Sequence, residues 1–253
     1  MSNFVTSFRS SAGFTLIDIL VAIIVLSVVS TVAFKTIQPS IDESGALEAK
    51  AEMASLARAI AGDFALGENM TGSSFGYVGD IGAFPSSFAD LATNPGGYAT
   101  WNGPYIRDDF TEDAGGHLID PWGAAYAYSA GVTITSTGSG TSIVHQLAGN
   151  AADLLSVSLS CTIRGANGSP PGADSANLIA TITYPDGAGS MASDTAVVSS
   201  IGQFSFSGLP VGIYSVRVVE LIAGDTTEVA LKALPGATSV TKNISMRLSS
   251  VSF

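Results

Sequence analysis

The stretch Gly13-Phe14-Thr15-Leu16-Ile17-Asp18-Ile19-Leu20-Val21, with the apolar run it opens as far as Phe34, decides the reading of this chain. About twenty-one residues from Phe14 to Phe34 carry a single ionisable side chain, Asp18. A helix of that length spans roughly 30 Å, the hydrocarbon thickness of a bilayer. A carboxylate just inside such a segment is costly in lipid, by roughly 2.5–3.5 kcal/mol at a helix centre and less near an end. The sequence offers Asp18 no nearby partner, so the pattern predicts a partner on another molecule.

Residues 1–13 form a short polar leader whose only charge is Arg9. Gly13-Phe14-Thr15-Leu16-Ile17-Asp18 resembles the processing site of type IV pilins and type II secretion pseudopilins, whose usual pattern is Gly-Phe-Thr-Leu-x-Glu before an apolar helix. The resemblance implies cleavage after Gly13 by a prepilin peptidase and N-methylation of Phe14. It implies storage of the precursor in the inner membrane. Assembly with copies of itself or homologous pilins then gives a helical filament, in the periplasm or at the cell surface. It also implies that Asp18 pairs with the Phe14 amine of a neighbouring subunit. Asp stands here where the family usually has Glu, which keeps the charge and shortens its reach. Two plainer readings remain. A secretory signal has an apolar core of about 7–15 residues with its cleavage site behind it, whereas here the site lies in front of a longer run. A simple single-span anchor explains the length but not the string that opens it.

A chain of 253 residues holds one or two domains. The formal charge is −11, and a leader carrying Arg9 would take one more positive charge with it. No cluster of Lys and Arg occurs, which argues against nucleic acid as a partner. Cys161 is the only cysteine, so no intrachain disulfide can form, and the alternation around it reads as a small buried hydrophobe. His117 and His145 stand alone, and no phosphate-binding loop is present. The sequence therefore argues against an enzyme and calls for no cofactor.

Residues 35–66 continue as an amphipathic helix, with Met53, Leu56, Ile60 and Phe64 on one face and Glu48 and Arg58 on the other. Pro39 lacks an N–H and predicts a kink or local unwinding; the alternative is two helices with a loop at 35–44. Residues 67–150 follow as a head. Asp120-Pro121-Trp122-Gly123 specifies a turn, and Tyr126 and Tyr128 open an alternating strand that leads to Val132 and Ile134. Together with Asp80-Ile81-Gly82, Pro85, Asp90-Leu91 and Trp101-Asn102-Gly103-Pro104-Tyr105, this resembles the head of the major pseudopilin of type II secretion. Trp101, Trp122, Tyr126 and Tyr128 are the expected head core. That family carries a calcium site. The acids near it here are Asp108, Asp109, Glu112, Asp113 and Asp120, but residues 129–140 contain no acid at all. The ligand set is not carried over, and a solvated acidic loop is the expectation.

From residue 151 to 253 the pattern becomes all-β. Leu155, Val157, Leu159, Cys161 and Ile163 alternate with Ser and Thr, and turn signals separate six further strand candidates. The string from Gly202 to Val218 resembles the carboxypeptidase regulatory-like, transthyretin-like sandwich, a scaffold and binding module without catalytic residues of its own. The expected class is α+β: a long N-terminal helix over 14–66 (14–34 apolar, 35–66 amphipathic), a small antiparallel-sheet head, and a β-sandwich.

Overall fold

The structure, a computed structural model, describes residues 15–64, 75–106, 116–129, 131–236 and 240–248, without the side chains of 34–40 and 240–242. The fold is α+β, with an N-terminal apolar helix and a mostly β remainder built of largely antiparallel sheets. The chain divides into two compact units, Met1–Ala46 and Leu47–Phe253.

Helix α1 spans Leu16–Ala61. Its helical hydrogen bonding passes Pro39 without the local unwinding expected there, and no loop interrupts 35–44. One missing N–H removes one bond of a ladder whose Ala-, Glu- and Lys-rich continuation favours helix on its own. In the first unit, Leu16–Ala33 has mean hydropathy 2.7 and no buried side chain.

In the second unit, the last turns of α1 bury Ala49, Met53, Leu56 and Ile60, while Glu48 and Arg58 stay exposed. Phe64 is half-buried and meets Phe75 edge-on at 6.2 Å. Helix α2, Gly76–Ile81, lies directly against this face. Gly76 has φ +61°, and a Cβ there would sit 2.6 Å from the carbonyl oxygen of Ala59, so only glycine allows the approach. Helix α3, Ala89–Ala92, follows a turn held by Asp90, whose Oδ2 accepts the Ser86 N–H at 2.7 Å.

The expected strand from Tyr126 to Ile134 is instead a hairpin. Strands β1 (Ala127–Ser129) and β2 (Thr133–Ser136) pair antiparallel, Tyr128 opposite Ile134, and β3 (Ile143–Gln146) completes the head sheet. Gly131, with φ +85°, supports the reversal, and Phe84 packs where its side chain would be.

After the short helix α4 (Ala152–Leu155), seven strands form a two-sheet sandwich: β4 (Val157–Gly165), β5 (Leu178–Pro185), β6 (Met191–Val197, earlier in the chain than the strand expected at Thr195–Ser199), β7 (Gln203–Leu209), β8 (Gly212–Glu220), β9 (Thr226–Ala233) and β10 (Val240–Met246). One sheet has the order β10-β4-β7 and the other β6-β5-β8-β9. Strand β4 alternates its buried residues, Val157, Leu159, Cys161 and Ile163, toward the space between the sheets. Strand β10 lies parallel to β4, Ile244 beside Ile163, so this sheet is mixed.

Residues 67–150 and 151–253 share one continuous core within the second unit. The seam is sewn by main-chain bonds. Gly187 N–H donates to Ile81 O at 2.8 Å, and Ala99 N–H to Gly189 O at 2.9 Å. Gly82, with φ +82°, has the Pro185 oxygen 2.4 Å from where a Cβ would lie. Gly82→Ala therefore adds both left-handed strain and a backbone clash. It should cost about 2–3 kcal/mol, a fall of roughly 4–12 °C in melting temperature. A melt in detergent unchanged to within a degree would show that the seam yields freely.

Candidate functional site

The N-terminal site begins with a local device. Thr15 N–H and Oγ1 both donate to Asp18 Oδ2, at 3.0 and 2.7 Å, and Asp18 N–H reaches back to Thr15 Oγ1 at 3.3 Å. This is a reciprocal capping box in which each side chain satisfies a main-chain donor left open at the helix start. The expectation that Asp18 has no partner in its own chain is corrected: Thr15 is that partner. The signal was legible as a Thr three residues ahead of an acid before an apolar run. Both contacts fall on Oδ2, and among the described residues Oδ1 accepts no bond. Gly13 and Phe14, the expected processing and assembly residues, lie outside the described residues.

Further along the apolar stretch, the hydroxyls turn inward on the helix. Ser27 Oγ donates to Ile23 O at 2.7 Å and Thr31 Oγ1 to Ser27 O at 2.8 Å. These polar side chains thus need no water, a condition for a helix surrounded by lipid or by other apolar helices.

In the head, Tyr126 is buried and its hydroxyl donates to Glu52 on α1, tying the start of the sheet to the helix. Burial, then the Glu52 carboxylate, push the phenol far above its usual range. Tyr128 is half-buried against Phe88, ring centroids 5.2 Å apart. Trp101 is also half-buried, donates from Nε1 to Asp90 O at 3.0 Å, and meets Tyr105 edge-on at 5.7 Å. Trp122 takes less part in the core than expected: it is half-buried at the turn, and the residue beneath it that the core encloses is Asp120.

Asp120 is not part of a solvated loop. It is 3% exposed. Its Oδ1 accepts the N–H groups of Trp122 (3.2 Å) and Ala124 (2.8 Å), and its Oδ2 accepts Ser136 Oγ (2.7 Å) and Gly138 N–H (2.9 Å). Burial alone would raise its pKa, but these bonds, Ser136 foremost, hold the carboxyl below its ordinary value. Its oxygens are committed to the protein rather than presented to a cation. Asp108, Asp109, Glu112 and Asp113 lie outside the described residues. Among the described residues no three His, Cys, Asp or Glu side chains gather in a metal-binding group.

One open cleft of about 390 Å³ lies where α1, α2 and the Trp101–Tyr105 loop meet, lined by Arg58, Asp63, Asp80, Asn102 and Tyr105 among others. Tyr105 hydroxyl donates to Asp80 Oδ2 at 2.8 Å, and burial raises the Asp80 pKa despite that bond. The pair braces the loop on α2.

No protein-family model matches the chain. It is 31% identical over 109 residues to the type II secretion system core protein G of Xanthomonas campestris pv. campestris, a match covering 43% of this chain. The chain spans 66% of that relative's length. Among solved structures, it is similar to GBS52, the minor pilin of Streptococcus agalactiae, at 17% identity over 53% of this chain and 63% of that one, TM-score 0.29. It is also similar to BcpA, the major pilin subunit of Bacillus cereus, at 13% identity over 50% and 42%, TM-score 0.26. Neither structural likeness is close enough to bear on the fold or the function.

Proposed function

We propose that this chain is a structural subunit of a type IV pilus-like or pseudopilus filament. In this reading a prepilin peptidase removes residues 1–13, and the mature chain leaves the inner membrane for a filament of like subunits. The observation that carries the reading is the Gly13–Asp18 string opening a helix whose apolar stretch, Leu16–Ala33, has no buried side chain. The similarity to a secretion core protein G supports it. Such a surface is stable only in lipid or against other apolar helices, so one segment serves as anchor first and filament core afterwards. No catalytic step belongs to this role.

Asp18 acts at the change of environment. In lipid its Oδ2 is held by Thr15; in the filament its Oδ1 takes the Phe14 ammonium of the next subunit. N-terminal mass spectrometry of the exported protein is the direct test, with methylated Phe14 the expected first residue. A mature chain that starts at Met1 or inside the helix would end the reading. A minor or tip subunit whose sandwich binds a partner is the alternative, favoured by the exposed apolar side chains on the sandwich. Sheared filaments composed chiefly of this chain would remove that alternative.

A further inference from the structure

The two faces that the sandwich turns outward are built differently. On the β6-β5-β8-β9 sheet, Arg217 lies opposite Glu228, with Lys232 on the same face of β9. Polar side chains there bond one another, Thr183 Oγ1 with Ser193 Oγ at 3.3 Å and Ser215 Oγ with Glu228. On the β10-β4-β7 sheet the register sets Ser160 opposite Ser205 and Thr162 opposite Gln203, with Asn243 beside Thr162 on the other side. These side chains point away from the core, because Leu159, Cys161, Ile163, Phe204 and Phe206 alternate with them and are buried. The three strands contain no Asp or Glu. Among the described residues, Ser160, Thr162, Gln203, Ser205 and Asn243 make no side-chain hydrogen bond within the protein. Arg164, at the end of this face, turns back and donates to Gly168 O at 3.3 Å.

A fixed wall borders these free groups. In the turn from β6 to β7, Ser199 N–H donates to Gln203 O at 2.9 Å and Gly202 N–H to Ser199 O at 2.7 Å. Gly202 has φ +87°, and the Ile163 oxygen lies 2.1 Å from where a Cβ would be, so the turn is pressed onto β4. Ile163 N–H locks it there by donating to Gly202 O at 2.7 Å. Ile201 projects from this turn and is 56% exposed. An open groove of about 460 Å³ results, lined by Ser160, Thr162, Ser199, Ile201, Gln203 and Ser205 among others.

The chemistry of the groove selects its occupant. Its hydroxyls and carboxamide both donate and accept, at spacings of about 4.8 Å across the strands and about 7 Å along them. An anionic chain would meet no cation in the groove and a molecule of formal charge −11 around it. A cationic chain would find no carboxylate there. An apolar segment would cover Ile201 and strand the hydroxyls beside it. We infer that the groove binds a neutral polysaccharide, whose hydroxyls exchange hydrogen bonds with Ser160, Thr162, Gln203 and Ser205 while the C–H face of a sugar ring lies on Ile201. Such bonds replace bonds to water, so one site is weak and an array of sites is strong. The groove belongs to the sandwich of each chain, so the inference does not rest on the filament reading.

The test passes the full-length chain, in a detergent without a sugar headgroup, over immobilised cellulose, starch, a galactomannan and the polyanion alginate. At least one neutral polymer should retain it, alginate should not, and soluble oligosaccharides of the retaining polymer should elute it. Ile201→Ala with Gln203→Ala should weaken retention at least tenfold with an unchanged melt. Should that pair melt early, Ser205→Lys, which lays a charged side chain across the groove from an exposed position, must give the same loss. Thr183→Ala, on the outer face of the other sheet, should be retained like the parent. No retention by any neutral polymer, retention by alginate, groove variants held like the parent, or an equal loss in Thr183→Ala would each overturn the inference.

Discussion

Asp120→Ala should lower the melting temperature of the detergent-solubilised chain by roughly 8–16 °C, about 4 kcal/mol for a unit of this size. The carboxylate accepts four bonds in a nearly closed site. Alanine would leave the hydroxyl of Ser136, itself fully buried, and three N–H groups without their acceptor. Stranding buried donors costs about 1–3 kcal/mol each when water cannot replace the partner, and partial relaxation keeps the total below the sum. Asp120→Asn separates charge from shape. Its NH₂ turns a donor toward donors, so it destabilises at neutral pH. The native carboxyl titrates below its ordinary value of 3.8. A group whose folded pKa is depressed contributes its full stability above the unfolded value of about 4 and loses it as pH falls through the folded one. The gap between parent and Asp120→Asn should therefore be widest above about pH 5 and close below about pH 4. Melts recorded from pH 7 to pH 3 that keep a constant gap would show that the ionised form is not what the turn requires.

Asp120 also shows where sequence reading stops. Its turn was legible, because Asp-Pro and a following Gly act locally. Its burial was not, since Ser136 and Gly138 reach it only after β1 and β2 fold back at Gly131. The alternation from Tyr126 to Ile134 continued across Gly131, so period alone read the hairpin as one strand. The seven sandwich strands were visible because alternation is a property of each segment. Pairing is not: nothing local in Val240–Met246 says that it runs parallel to β4, and the partner is fixed by the finished core. The seam glycines belong to the same class. Gly82 and Gly189 read as ordinary turn residues until the Pro185 carbonyl and the Tyr98 ring that they admit are in place. The Thr15–Asp18 box is the opposite case, a signal wholly local and open to reading. The same residues also fit a processing site, and that second pattern masks it.

Asp18→Asn should reduce sheared filaments at least tenfold, whereas Thr15→Ala should leave most of them. The two substitutions divide what Asp18 does. Asn at this position still offers an amide oxygen to Thr15 N–H and Oγ1, so the cap survives while the charge is gone. Ala at position 15 removes the hydroxyl that both accepts from Asp18 N–H and donates to Asp18 Oδ2, at 3.3 and 2.7 Å, and leaves the charge. Loss of a cap costs about 0.5–2 kcal/mol and frays one turn of a helix that runs to Ala61. In the proposed filament, loss of the charge would remove the counter-ion of a buried ammonium, and an unpaired charge in an apolar core costs about 3–5 kcal/mol per subunit. That larger figure recurs at every subunit, so polymerisation amplifies it. Asp18→Glu keeps the charge and adds reach, and it should assemble at least as well as the parent. The filament yields of the three variants, measured against equal amounts of membrane precursor, decide between pairing and capping. If Asp18→Asn assembles like the parent while Thr15→Ala does not, the acid serves the helix end alone, and the contact between subunits must be sought elsewhere on the helix.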